Sequence, residues 1–296
     1  MNQMWDLNGA AGVLPFELRQ ALDRLDRRWA ERTEELRLRR GYPMMVGVGD
    51  RELETDSLPI TEAHLLTVLE NASQASVHTV LGQIREGFVT LRGGHRIGLC
   101  GTVVCREGEN VTMRNLSSLS VRVARQVKGF GHTVLPALME DGCFQSTLIL
   151  SPPGVGKTTL LRDLVRELSD KGTRIAVTDE RGEIAALWRG EAQLDVGRHT
   201  DVLDGCSKDE GMIMMLRGMN PQVIAVDEIT RQRDVKAVSE VFGCGVSLLA
   251  TAHGRRIEDL KGRRIYRTLM DLGMFRRVVI MERQGDCRRM TVEVLG

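Results

Sequence analysis

The residues of this chain that could do chemistry cluster between positions 151 and 253. Ser151-Pro152-Pro153-Gly154-Val155-Gly156-Lys157-Thr158-Thr159 joins an apolar run at 147–150 to a helical pattern at 160–168. The segment has the form of a phosphate-binding loop, with Ser151 where the first glycine is usual. Glycine at 154 and 156 lets the backbone turn its N–H groups around phosphate oxygens, and the following helix adds partial positive charge at its N-terminus. Lys157 is then predicted to reach the β- and γ-phosphates of a nucleotide, and the Thr158 hydroxyl to ligate Mg²⁺. Ser151 is small and polar enough for the first turn, although a positive φ there would strain it. The plain alternative is a glycine turn between strand and helix, which the agreement of consensus and context disfavours.

Three further segments bear on this one. Val223-Ile224-Ala225-Val226 is an apolar run that ends in Asp227-Glu228. A buried strand ending there would hold the Asp227 carboxylate beside the metal and leave Glu228 to polarise a water. An acidic pair of this kind favours hydrolysis over transfer to a small acceptor. Thr178-Asp179-Glu180-Arg181-Gly182-Glu183 ends another apolar run, and Glu180 or Arg181 could position water or a neighbouring subunit; a solvated charged loop is the competing reading. His253 closes the run 246–251 and could sense the γ-phosphate, although a lone histidine is more often structural. No Asn-Lys-x-Asp guanine-reading motif occurs, so ATP is expected rather than GTP.

The elements needed to position these groups are legible in the pattern. Short apolar runs at 147–150, 175–178, 223–226, 246–250 and 277–281 alternate with helical stretches. Unalternating strands separated by helices predict a mostly parallel sheet covered on both faces. The ends of its strands would share one crevice. Residues 291–295 suggest a last strand paired with 277–283 across Gln284-Gly285-Asp286. Upstream, 15–35 reads as one amphipathic helix with Leu18, Leu22, Leu25 and Trp29 on a stripe, and 35–39 alternates as a strand. Residues 61–86 suggest two helices, and strands are expected at 88–91, 97–104 and 119–123. The expected organisation is a smaller α+β domain over 1–127, a hinge at 128–131 and an α/β domain over 132–296.

Composition narrows the function. The 296 residues are 42% hydrophobic and 27% charged, enough to build a substantial core. A net charge of +1 argues against a duplex-DNA binder that works through bulk charge. An aromatic content of 4% leaves few platforms for stacking single strands. Residues 255–296 carry eleven Lys and Arg against six acids, which keeps a nucleic-acid-associated ATPase as the rival reading, with a nucleotide-gated scaffold of little turnover as a third. The six cysteines form no zinc-ligand spacing, so no zinc site is expected. No segment approaches the length of a spanning helix and the first ten residues do not read as a signal peptide, which predicts a cytoplasmic protein.

The combination of motifs is similar to a known group. Met215-Leu216-Arg217 with Asn220-Pro221-Gln222 and the run to Glu228, and the segment 246–254 with His253, resemble the corresponding stretches of type II and type IV secretion ATPases. More narrowly, the Ser-Pro-Pro loop, Asp179-Glu180-Arg181 and Gly94-His95-Arg96-Ile97-Gly98 resemble the stage III sporulation AA family. The resemblance implies a RecA-like P-loop ATPase domain that uses ATP and Mg²⁺ and assembles as a hexameric ring in the cytoplasm of the engulfing mother cell. It also implies action on a membrane platform protein of a secretion-like channel. Arginines from the N-terminal domain of such ATPases reach the nucleotide, which makes Arg122 and Arg125 the candidates here. The chain departs from the secretion ATPases in its acidic box, where Asp179-Glu180 is only an approximate counterpart, and in lacking a tetracysteine site.

Overall fold

The structure, a computed structural model, describes residues 3–5, 7–49, 51–73, 82–85, 87–106, 109–285 and 287–295. The chain divides into two compact units. One comprises Gln3–Gln126 together with Trp188–Gln193, and the other comprises Val127–Leu187 with Leu194–Gly296. The short hairpin at 187–192, expected within the second domain, thus belongs for most of its length to the first unit. The expected hinge is tied down within the second unit. Gly129 and Gly131 donate their N–H groups to the Asp163 carboxylate at 3.2 and 2.7 Å, and a Cβ on Gly131 would stand 2.8 Å from a Leu164 methyl.

The first unit is built on an antiparallel sheet of β1 (Glu35–Arg39), β2 (Met45–Val48), β3 (Arg51–Glu54), β4 (Phe88–Thr90), β5 (Arg96–Arg106) and β6 (Glu109–Arg122), in the order β3-β2-β1-β6-β5-β4. Helices α1 (Phe16–Asp23) and α2 (Glu62–Ser73) contribute Leu18, Leu22, Leu65 and Val68 to the same core as Leu36, Leu38, Ile97 and Val121. The single helix expected over 15–35 is broken. Asp26 leaves helical geometry and accepts the N–H of Arg28, starting a separate short helix at Arg27–Ala30 before β1 begins. Of the two helices expected over 61–86, α2 is the first; residues 82–85 are helical, and 74–81 and 86 lie outside the described residues.

The second unit carries a seven-stranded sheet: β7 (Thr147–Ser151), β8 (Ile175–Asp179), β9 (Thr200–Asp204), β10 (Val223–Glu228), β11 (Ser247–His253), β12 (Arg277–Gln284) and β13 (Cys287–Val294). The order is β9-β8-β10-β11-β7-β12-β13, parallel throughout except for the antiparallel β12–β13 edge. The β12–β13 pairing runs from Arg277 opposite Val294 to Gln284 opposite Cys287; Asp286 in the expected turn lies outside the described residues. Both faces are covered. Helix α3 (Lys157–Asp170) packs Leu160, Leu161, Leu164 and Leu168 against Ile149, Val177 and Ala225 on one side. Helices α4 (Lys208–Met219), α5 (Gln232–Gly243) and α6 (Arg264–Asp271) pack Met212, Val238 and Leu269 against Leu148, Leu150 and Ile224 on the other. Successive strand residues face opposite layers, so both must be apolar, which is why these strands read as unbroken hydrophobic runs.

Candidate active site

Parallel strands bring their C-terminal ends to one edge of the sheet, and there β7, β8, β10 and β11 deliver Ser151, Asp179, Glu228 and His253. A cavity of about 310 Å³ opens at that edge, lined by the loop from Pro153 to Thr159 together with Arg181, Glu183, Asp227, Glu228, Thr251 and His253.

The loop is held by backbone choices that only glycine makes cheaply. Gly154 has φ +76° and Gly156 has φ +113°, and both sit in the region that favours glycine. Ser151 is the last residue of β7 and stands outside the positive-φ set, so the missing first glycine strains nothing. Gly156 also meets a close neighbour. The Arg288 guanidinium lies against Phe130, 5.4 Å from its ring centre, and its Nε would be 3.7 Å from a Cβ at 156.

Lys157 starts α3 and is buried. Its ammonium lies 2.7 Å from His253 Nδ1 and about as far as a hydrogen bond reaches from the carbonyls of Ser151 and Pro152, at 3.4 and 3.5 Å. Burial pulls the Lys157 amine below its ordinary range, and Glu228 and Glu183 work against that shift. On its other side His253 reaches Glu228, with Nε2 3.0 Å from Oε2. One imidazole therefore links the lysine of the phosphate loop to the last carboxylate of β10. The ammonium can only donate, so Nδ1 accepts and Nε2–H donates to Glu228, which defines the neutral tautomer. Glu228 owes its position to an irregularity. The β10–β11 register shifts between Ala225 and Glu228, setting Glu228 opposite Thr251; such a bulge re-aims side chains at a strand end.

Asp227 lines the cavity, and its Oδ1 is 2.8 Å from Lys208 Nζ. Burial pushes the Asp227 carboxyl above the usual carboxylate range, and Lys208 draws it back. Glu180 is not among the cavity-lining residues. Its carboxylate pairs with Lys208 at 2.9 Å and with Arg231 at 3.5 Å. Glu183 and Arg181 from the same loop do line the cavity. Asp179, 1% exposed, is consumed in building that loop: its carboxylate accepts the N–H groups of Glu183, Ile184, Ala185 and Ala186 at 2.8–3.2 Å. Arg162 holds the loop from α3, donating to the carbonyls of Ile184 and Glu183 at 2.5 and 2.7 Å.

Arg122 and Arg125 belong to the other unit. The Arg122 side chain is 70% exposed and 3.8 Å from Glu35, whereas Arg125 is engaged by Glu34 at 2.9 Å and by the carbonyl of Arg32 at 3.0 Å.

The donor set suits magnesium. Thr158 and Asp227 offer hard oxygens beside the loop. Among the described residues no group of three or more His, Cys, Asp or Glu could hold a metal alone, so the remaining ligands would come from nucleotide and water.

Sequence reasoning missed Lys208 and left Glu183 without a role. The Glu183 signal was its place in the motif at 178–183, and Lys208 had none.

The fold is shared with solved ATPase and motor structures. The chain superposes on the pilus retraction motor PilT, solved with bound ADP, with TM-score 0.62 over 94% of this chain and 81% of that one at 13% identity. It superposes on the ATPase DotB of Yersinia pseudotuberculosis with TM-score 0.61 over 96% and 81% at 12% identity. The family model described as "Sporulation stage III, protein AA" matches residues 8–293. Stage III sporulation protein AA of Bacillus subtilis (strain 168) is 38% identical over 285 residues, 94% of this chain and 91% of that relative. The chain belongs to the stage III sporulation protein AA family.

Proposed function

We propose that the protein is a Mg²⁺-dependent ATPase that works as a ring, a hexamer by likeness to secretion motors, and energises a sporulation channel. It acts at the cytoplasmic face of the membrane through a platform protein. The observation that carries the catalytic part is the Lys157–His253–Glu228 chain across the mouth of a phosphate loop. The N–H groups of 154–159 and the start of α3 bind the phosphates, with Lys157 placed for the β- and γ-oxygens. Thr158 and Asp227 would hold Mg²⁺, which when bound neutralises charge on those oxygens. Glu228 keeps Oε1 to orient an attacking water and take its proton, while His253 fixes Oε2. Arrival of the γ-phosphate at Lys157 would be felt at Glu228 through one imidazole. The absence of a guanine-reading motif supports ATP.

The ring part rests on the family and on the placement of Arg122. Exposed and loosely paired, Arg122 is the arginine free to serve a neighbour's site, whereas Arg125 is already engaged. Such a finger is worth about 10³–10⁵ in rate. The test is ATP turnover by the wild type, Lys157→Ala, Arg122→Ala and equimolar mixtures of the two variants. Lys157→Ala should lose ATP binding. Arg122→Ala should bind but turn over slowly, and mixing should restore activity, because one chain supplies the loop and the other the arginine. Wild-type binding by Lys157→Ala would refute the site, and mixtures no faster than either variant would refute shared sites.

A further inference from the structure

Lys208 violates two local preferences. It is 4% exposed, and lysine is almost never fully buried unless paired. It also opens α4, where the helix dipole disfavours a cation. Its position is nevertheless firmly imposed. The first turn of α4 lies against the end of β8 so closely that a Cβ on Gly211 would clash with Thr178 Cγ2. From there the ammonium bridges Glu180 Oε2 at 2.9 Å and Asp227 Oδ1 at 2.8 Å.

We infer that Lys208 is a positioning residue for the metal–nucleotide site: its ammonium clamps Asp227 to Glu180, presenting Asp227 to the magnesium position and holding Glu180 out of the cavity. The inference rests on the reading of the site as one for Mg²⁺ and nucleotide. Acidic groups crowd this edge: Asp227, Glu228 and Glu183 line the cavity and Glu180 stands beside it. With Lys157 committed to phosphate, Lys208 is the buried cation that keeps two of these carboxylates at a fixed spacing. Partners that orient a metal ligand set metal affinity by about 10–100-fold. A cation that merely offset buried charge would affect folding and leave the metal response of a folded protein alone.

The experiment measures ADP affinity of the full chain by calorimetry, without metal and with Mg²⁺, and Mn²⁺ binding in the presence of ADP by electron paramagnetic resonance. Wild type, Lys208→Met, Lys208→Arg and Glu180→Gln are compared after thermal unfolding has shown each to be folded. Lys208→Met should keep metal-free ADP affinity within about threefold and lose about 10–100-fold of Mn²⁺ affinity. Lys208→Arg, which retains a cation able to span two carboxylates, should recover part of that loss. Glu180→Gln, which leaves Lys208 with one anionic partner, should weaken Mn²⁺ binding severalfold and decides the matter if Lys208→Met does not fold. Mn²⁺ affinity unchanged in the folded variants, or raised because Lys208 had competed with the metal for Asp227, overturns the inference. A wild type whose ADP binding ignores Mg²⁺ would instead overturn the reading of the site, and the inference with it.

Discussion

His253 stands between the two charged partners of the candidate site, Lys157 and Glu228. It accepts from Lys157 on one ring nitrogen and donates to Glu228 from the other, so both neighbours depend on its orientation. His253→Ala should leave ATP affinity within a few-fold of wild type and cut turnover by about 10²-fold, the lower end of what a well-placed general base contributes. Steady-state turnover measured beside equilibrium binding checks this; lost affinity with turnover at saturation unchanged would mean that His253 serves Lys157 alone. Much of the candidate site was legible at this scale from residue type and spacing. Lys157, Thr158, Asp227, Glu228 and His253 all line one cavity. Glu180 was legible only as an acid near the site, since no sequence pattern says which of Glu180 and Glu183 faces inward. Lys208 was invisible because a lysine beginning a helix is ordinarily a solvated one. Its burial follows from the Gly211–Thr178 approach, a contact between elements far apart in the chain.

At the scale of elements, the loop following β8 shows how a flexible segment is made rigid enough to carry site residues. Asp179 gathers four backbone N–H groups from below while Arg162 takes two carbonyls from the side. Arg162 is 7% exposed; burial pulls its guanidinium down to about 10, which leaves it charged at neutral pH. Arg162→Met should destabilise the protein by about 2–4 kcal/mol, from two stranded carbonyls and unbalanced acids. Chemical denaturation checks this, and a loss under about 1 kcal/mol would show that the loop is held by other contacts. The strands that position the site were legible because burial on both faces makes them continuous apolar runs. β9 was not, since Thr200-Asp201-Val202-Leu203-Asp204 is a partly exposed edge strand with two acids. The strands at 45–48 and 51–54 also escaped, the second because it is mostly polar and exposed. The break at Asp26 hid inside an otherwise continuous stripe of apolar residues, which shows periodicity losing to a side-chain cap.

At the scale of the whole molecule, two units of different architecture share one chain, and Trp188–Gln193 of the site-bearing half of the sequence belongs to the N-terminal unit. One division of the chain falls between Gln126 and Val127, and the hairpin was not legible as part of the first unit because nothing local marks a short turn as belonging elsewhere. No helix among the described residues is long and apolar enough to cross a membrane. The proposed reaction is the hydrolysis of ATP bound at the phosphate loop, with Glu228 acting on the water. Glu228→Gln in the full chain tests it most directly, with ATP affinity, turnover and particle size measured on one preparation. ATP should bind as tightly as to wild type, turnover should fall by about 10²–10⁴-fold, and the unhydrolysed nucleotide should hold larger particles together. Turnover at the wild-type rate in the folded variant would contradict the proposed reaction.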